Sequence, residues 1–229
     1  MSVQKPEDKK SLKRHAFLKA AQKIFSEKGF QSANVTDIVS EVKSGQGTFY
    51  YHFRDKQAIF DELMIGFIDK LTAVLIENEV QGAGQLALVD RDLSVANARR
   101  IASVYLDNIA LAALFFRESR YVGGEAMQRM DRLYALLYAQ VENGLKQGQS
   151  AGLVREELDP IIAARCFVGA TERAVFEAVR SGGPYDLDHL AEQIVDYQSV
   201  GILSDAQRTA YKARAGHCTQ DETNREQST

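Results

Sequence analysis

Cysteine, proline and tryptophan are scarce or missing in this 229-residue chain, and each scarcity removes a class of answer. Only Cys166 and Cys218 occur, without the paired spacing of a zinc site or a redox couple, so a disulfide scaffold is excluded and a reducing cytoplasm is the expected home. The three prolines, Pro6, Pro160 and Pro184, leave long stretches free to run as uninterrupted helix. No apolar run approaches the ~20 residues of a membrane helix, and the opening MSVQKPEDKKSLKR lacks the apolar core of a secretory signal. The histidines, His15, His52, His189 and His217, are scattered, and the chain carries no HExxH, no P-loop and no nucleophile elbow. Asp186-Leu-Asp-His189 reads as a helix N-terminus rather than a ligand set, and Glu172 with Arg173 as an interface or pocket-edge pair rather than an acid/base couple. No cofactor, metal or catalytic residue is therefore expected.

What is present is ordinary globular composition, 45% hydrophobic and 26% charged, in a chain long enough to bury roughly 70% of its unfolded surface. The net charge of -3 hides an asymmetry. Residues 1–60 hold 11 Lys and Arg against 6 Asp and Glu, and the rest hold 17 against 25. A small basic segment joined to a larger acidic body suggests a polyanion-binding module attached to something that must not bind polyanions; an uneven solvated surface is the alternative.

Apolar residues recur at three-and-four spacing, so the fold class is all-α. Ser11 to Lys28 places Leu12, Ala16, Phe17, Ala20, Ala21, Ile24 and Phe25 on one face, and Gly29 stops that helix. Asn34 caps a short second helix ending near Val42, with Asp37 completing a capping-box-like arrangement. Lys43-Ser44-Gly45 turns the chain into a third short helix, Gln46 to Phe53. Asp55 opens a long fourth helix that ends near Gln81, before the Gly82-Ala83-Gly84 break. Further helices are predicted at about 93–121, 125–149, 160–181, with Asp159 capping and Pro160 in the first turn, and 187–203. The organisation expected is a small basic helical unit at 1–54 with a basic arm at 1–10, a larger acidic helical unit at 55–203, and a polar tail at 204–229.

Two short helices joined by a tight turn, after a basic amphipathic helix, form the pattern of a helix-turn-helix whose second short helix enters the DNA major groove. Phe49 and Phe53 fall on one face at i,i+4 and are expected in the core against Ile38 and Ile24, leaving Gly47, Thr48 and Tyr51 outward. Gln46 lies in the first turn, where its amide can pair with an adenine edge in two hydrogen bonds. Gly47 costs helix stability, which suggests close backbone approach, to the first helix or to a phosphate. Four of the chain's twenty aromatics lie within Phe49–Phe53, and the hydroxyls of Tyr50 and Tyr51 can reach phosphate or base.

The stretch from Asn34-Val-Thr-Asp-Ile38 through Gln46-Gly-Thr-Phe-Tyr-Tyr-His-Phe-Arg-Asp-Lys56 resembles the DNA-binding domain of the tetracycline-repressor (TetR) family of bacterial regulators. Gly47, Thr48, Tyr50, Phe53 and Lys56 match its G-T-x-Y-x-x-F-x-x-K pattern, and Phe25, Gly29 and Phe30 its first-helix ending. The resemblance implies phosphate contacts at Asn34, Tyr50, His52 and Lys56 and base reading by Gln46, Thr48 and Tyr51; Thr36, Lys43, Ser44, Gly45 and Gly47 complete the expected DNA-binding set. One departure stands out. Where the family has A-G-V-S, this chain has Val42-Lys43-Ser44-Gly45, so a lysine replaces the turn glycine. A left-handed lysine costs about 1 kcal/mol, which predicts a rearranged turn or, alternatively, an added phosphate contact.

The acidic body is expected to dimerise and to bind a signal. The helix at 160–181 has an apolar face wider than one contact requires, and the family resemblance makes it and the last helix the dimer pair, with Ile162, Gly169, Arg173, Phe176, Leu190, Ile194 and Tyr197 at the interface. Phe67, Leu71, Tyr105, Ile109, Phe115, Phe116, Tyr121, Met127, Met130, Tyr134, Phe167 and Thr171 are the candidate lining of an apolar ligand pocket. The lining points to a hydrophobic acyl or aromatic effector, with Arg99, Arg100, Arg117, Arg120, Arg129 and Arg132 as anchors for an acid group or as members of salt bridges. The function expected is a dimeric repressor that binds double-stranded operator DNA and is released when an effector tilts the fourth helix. The rivals are a regulator of the same fold without an effector and a helical enzyme.

Overall fold

A computed structural model describes residues 6–80, 90–181, 186–203, 205 and 207, with 6–9 and 78–80 described by their backbone alone. The helices are α1 (Pro6–Ser32), α2 (Val35–Glu41), α3 (Gln46–His52), α4 (Lys56–Val80), α5 (Arg91–Leu106), α6 (Ile109–Glu118), α7 (Gly124–Ser150), α8 (Pro160–Ser181) and α9 (Leu187–Ile202), with a 3-10 turn at Ser119–Tyr121. Among the described residues extended structure is limited to one isolated bridge, Val154 with Leu203. None of the described helices is long and apolar enough to cross a membrane. The Gly82-Ala83-Gly84 break, Pro184 and Cys218 lie outside the described residues.

Local chemistry sets most boundaries. Gly29 (φ 78°, ψ 160°) kinks α1, and one further turn reaches Ser32. Asn34 N–H donates to Asp37 Oδ2 at 2.9 Å ahead of α2. Asp55 Oδ1 accepts from Ala58 N–H at 2.8 Å and starts α4, while Asp159 Oδ1 accepts from Ile161 and Ile162 ahead of α8. Asp186 does the same for Asp188 and His189. The continuous helix expected over 93–121 is a correction: it breaks at Asp107-Asn108 into α5 and α6. Asn108 leaves helical geometry (φ -127°, ψ 40°), and its amide is held by Val104 O at 2.8 Å and by Lys70 Nζ at 2.6 Å.

The packing divides the chain into two compact units. The first holds residues 1–73, 104–134 and 176–182, so the boundary expected after residue 54 falls inside it. Its core is aromatic at both ends: Phe17, Phe25, Phe49 and Phe60 around α1, and Phe67 and Phe115 on α4 and α6, all fully or almost fully buried. Each such ring contributes about 1.5–3 kcal/mol by leaving water. The second unit holds 74–103, 135–175 and 183–229. There Leu145, Val154, Ala164, Ile202 and Leu203 form a small core, and Gln149 Nε2 donates to Arg155 O at 2.9 Å and Leu158 O at 2.7 Å, fixing the loop that leads into α8.

Candidate nucleic-acid interface

The α2–α3 segment is held to α1 from inside. Phe17 on α1 meets Phe49 edge-on with centroids 5.6 Å apart and Phe53 at 6.4 Å, so both rings of the α3 end pack on Phe17. The guanidinium of Arg14 lies 4.4 Å from the Phe53 ring, donates to His52 O at 2.8 Å and pairs with Glu62, which ties the end of α3 to α4. With Phe49 fully buried, the opposite face of α3 is turned outward. Gln46 and Gly47 are exposed, Thr48 is half-buried, and Tyr50 and Tyr51 are 54% and 69% exposed. Asn34, Thr36, Lys43 and Gly45 are exposed beside them, and Ser44 is half-buried.

The turn is not rearranged, contrary to expectation. Lys43 adopts φ +50°, Lys43 N–H donates to Ser40 O at 3.1 Å, and Ser44 N–H donates to Val39 O at 3.0 Å. These two bonds are the pair of a Schellman ending, normally built with glycine at the left-handed position. Of the two reasons expected for Gly47, approach to α1 is overturned: a Cβ added there meets nothing within 4 Å.

The charges around the turn are mostly spent internally. Lys23 pairs with Glu41 at 2.8 Å and Lys28 with Asp37 at 2.7 Å, the latter bond holding the Asp37 carboxyl below the usual range. Lys56, expected at a phosphate, donates to Phe30 O at 2.8 Å, Gln31 O at 3.2 Å and Ala33 O at 2.8 Å, and sits over the Phe30 ring. Its three N–H donors match those three carbonyls at the end of α1, and partial burial lowers its pKa. The residue is a clamp within the domain, not a displayed cation. His52 is half-buried against Phe17 and Tyr51, with Nδ1 buried and without a partner. Burial first, then the charges of Arg14, Lys10 and Lys13, push its pKa down, so it is neutral at pH 7.

The segment that carries this polar face lies within a stretch that matches a known family. Residues 17–63 match the family described as "Bacterial regulatory proteins, tetR family", and residues 95–202 match "Tetracyclin repressor-like, C-terminal domain". The regulator YdgC of Bacillus subtilis is 30% identical over 197 residues, covering 83% of this chain and 92% of that protein.

The chain belongs to the TetR family.

It is a DNA-binding transcriptional regulator of the helix-turn-helix type. The transcriptional repressor KstR2 of Rhodococcus jostii is 26% identical over 200 residues, covering 85% of this chain and 93% of that protein. Among solved structures, Bacillus subtilis FadR in complex with stearoyl-CoA shares the fold, with a TM-score of 0.62 at 21% identity over 82% of this chain and 98% of that one.

Of the residues expected to line a ligand pocket in this TetR-family chain, Phe67, Tyr105, Phe115 and Phe116 come together. Phe67 meets Tyr105 at 5.5 Å and Phe115 at 5.4 Å, and Tyr105 stacks on Phe116 at 5.4 Å. Leu71 is buried and Met130 and Tyr134 are half-buried, whereas Ile109 and Met127 are 45% and 42% exposed. Tyr121 instead packs on Phe30 at 5.6 Å. Phe167 and Thr171 belong to the second unit, where Gln198 Nε2 donates to Phe167 O and to Thr171 Oγ1.

Phe176, expected at the dimer face, meets Phe116 edge-on at 5.1 Å and joins this aromatic cluster. Ile194 is a second correction, 9% exposed and so part of the core of its own unit. Leu190 is half-buried, while Ile162 and Tyr197 are 62% and 76% exposed and Gly169 and Arg173 are exposed. The arginines considered as anion anchors have local partners: Arg99 with Asp188, Arg100 with Asn97, Arg129 with Asp69 and Glu125, Arg132 with Gln128 O, and Arg120 over Tyr121.

Arg117, the remaining candidate anchor, escaped the sequence reading in its actual role. Its Nη2 donates to Phe25 O at 2.9 Å, and its Nε donates to the buried Glu118 at 3.0 Å. A Cβ at Gly29 would stand 3.2 Å from Glu118 Oε1. Gln57 Nε2 donates to Tyr121 O at 2.8 Å, and Asp61 Oδ1 accepts from Gly123 N–H at 3.2 Å. Arg14 was the legible one of these: it stands at i, i+3, i+7 and i+11 with Phe17, Ala21 and Phe25, a cation on the buried stripe.

Proposed function

We propose that the protein is a homodimeric repressor that reads operator DNA through α3 and leaves it when an apolar effector binds. Gln46, Thr48 and Tyr51 take the base edges; Asn34, Thr36, Ser44, Gly45, Gly47, Tyr50 and the neutral His52 approach the sugar-phosphate backbone. The observation that carries the dimer is the apolar face left on α8 and α9. Ile162, Cys166, Gly169 and Ala170 recur at helical spacing on α8, all exposed, and Tyr197 and Val200 are exposed on α9. A reader of one short half-site gains specificity only when doubled, and such a face supplies a self-complementary surface.

The effector reading draws support from the aromatic cluster on α4, α5, α6 and α8 and from the stearoyl-CoA bound by the FadR neighbour. An acyl chain suits a wall of Phe67, Phe115 and Phe116, because ring and methylene surfaces pair without leaving polar groups unmatched. The helix that carries Phe115 and Phe116 ends in Arg117 and Glu118, which grip α1. A shift of α6 by an effector thus moves the carbonyl that Arg117 holds and, with it, the reader.

The experiment is operator recovery by selection from random duplexes, followed by titration of the complex at fixed salt with stearoyl-CoA, short-chain acyl-CoAs and aromatic acids. The expected operator is a two-fold site with half-sites about one DNA turn apart or somewhat more, and at least one apolar compound releases it. Undiminished binding with every compound removes the effector from the reading; an unpaired site removes the dimer.

A further inference from the structure

Among the described residues Lys43 is the one non-glycine residue with a positive φ. It occupies the left-handed position of the α2 ending, where a Cβ crowds the neighbouring carbonyl and glycine has no such penalty. The two bonds that close the turn, Lys43 N–H to Ser40 O and Ser44 N–H to Val39 O, use backbone atoms alone. Nothing in them requires a lysine side chain. Strain of this kind persists where the residue does something a relaxed substitute cannot, and here it falls three residues ahead of Gln46, the start of the reading helix.

The surrounding charges sharpen the point. Lys23 is neutralised by Glu41, Lys28 by Asp37, and Lys56 is turned inward onto three carbonyls. The Lys43 side chain is exposed and makes no hydrogen bond or ion pair among the described residues. A strained position has therefore kept a cation that forms no side-chain bond within the fold, in the turn that leads into the reading helix.

We propose that Lys43 is a contact to the DNA sugar-phosphate backbone, retained despite the turn strain because it anchors the start of α3 on the duplex. The contact rests on the operator-reading function proposed above. An ammonium on a flexible stem suits a phosphate as a point charge and lacks the planar fork that reads guanine in two bonds, so it adds affinity and register and not base choice. Retention of strain for a contact also means that stability and binding pull in opposite directions at this residue.

That opposition gives the test. The parent, Lys43→Gly, Lys43→Asn and Lys43→Arg proteins are compared by thermal melting and by binding, across a salt series, to the duplex that the parent selects from a random pool. Lys43→Gly removes both charge and strain. It is expected to melt about 2–4 °C higher, yet to bind about 5- to 10-fold more weakly at 150 mM salt, with a salt slope shallower by about 0.9 per protomer. Lys43→Asn, which tolerates the left-handed turn without the charge, loses affinity to the same degree, whereas Lys43→Arg keeps the parent's affinity and slope. Parent-like binding by the Gly and Asn variants overturns the contact, and so does an equal loss in the Arg variant. A melting temperature for Lys43→Gly at or below the parent's overturns the strain argument. A parent that enriches no duplex removes the operator-reading function as well, which separates that failure from the failure of the contact alone.

Discussion

On α3 the large exposed side chains are Tyr50 and Tyr51, each ending in a hydroxyl, above a core made by Phe49. On α8 they are Ile161 and Ile162, 45% and 62% exposed, which end in methyl groups. A phenol satisfies its polar end in water and against a phosphate equally, so α3 is finished in both the free and the DNA-bound states. Isoleucine in water forgoes about 25 cal/mol for every Å² left uncovered, so the α8 face is complete only when another apolar surface lies on it. On the function proposed above, the reader takes and releases its partner while the α8–α9 face keeps one.

The largest expected effect breaks the reader's half of that contrast from beneath. Phe49→Ala removes a fully buried ring that meets Phe17, Tyr50 and Phe53, and the expected loss is about 3–5 kcal/mol, enough to uncouple α3 from α1. Thermal unfolding of the variant checks it, with DNA binding lost in parallel. Tyr51→Ala, in the same helix, is expected to leave the melting temperature within a degree or two, because its side chain is mostly in water.

Ile162→Glu strikes the other half. The side chain supports little within its own protomer, so the folded protomer should survive, while a charge placed in an apolar contact between copies weakens association by at least a hundredfold, about 3 kcal/mol. Sedimentation at micromolar concentration reads the outcome. A variant that stays paired shows that α8 is covered by something other than a second copy of itself.

The two regions also differed in how far they were legible. Caps and breakers are local chemistry: the sequence openly displays the kink at Gly29 and the helix boundaries set by Asn34 with Asp37, Asp55, Asp159 and Asp186. The inward positions of Phe49 and Phe53 followed from i,i+4 spacing alone. What stayed hidden is what distant residues decide. At the Asp107-Asn108 break Asn108 is held by Lys70, 38 positions away, as well as by Val104 O, in a stretch whose apolar spacing continues through it. Phe176 and Ile194 lie on apolar stripes wide enough to pack twice, and periodicity alone does not tell the half facing the protein's own core from the half facing outward. Lys56 fits a family pattern in which its neighbours face DNA, yet its ammonium is committed to the end of α1.

Lys56 accordingly offers a more moderate test within the reader. Lys56→Met keeps the stem over the Phe30 ring and removes the bonds to the carbonyls of Phe30, Gln31 and Ala33. Gln31 is exposed while Phe30 and Ala33 are buried, so water recovers only part of the lost bonding, and the expected cost is about 1.5–3 kcal/mol in unfolding free energy. Operator binding by the folded fraction should keep its salt slope, since a cation already committed to carbonyls displaces no counterion from DNA. A slope reduced by about one per protomer would move Lys56 from the clamp to the phosphate backbone.

The smallest expected effect concerns His52, half-buried against Phe17 with its pKa held below the ordinary 6.5 by burial and then by Arg14, Lys10 and Lys13. In the unfolded chain the ring takes up its proton near pH 6.5, and in the folded chain only at lower pH. The unfolded state therefore binds more protons across that window, so stability falls as the pH drops through 6.5 towards the folded value and is unaffected above it. His52→Gln should flatten this decline without altering stability at pH 8. With the phosphate contact proposed for His52 the sign reverses in the complex, because a DNA phosphate near the ring favours the charged form against the three cations. Operator binding then takes up protons and tightens as the pH falls from 7.5 to 6, by less than an order of magnitude. Binding that is flat with pH in the parent, or that keeps its pH dependence in His52→Gln, would place His52 in the support of α3 and away from the phosphate.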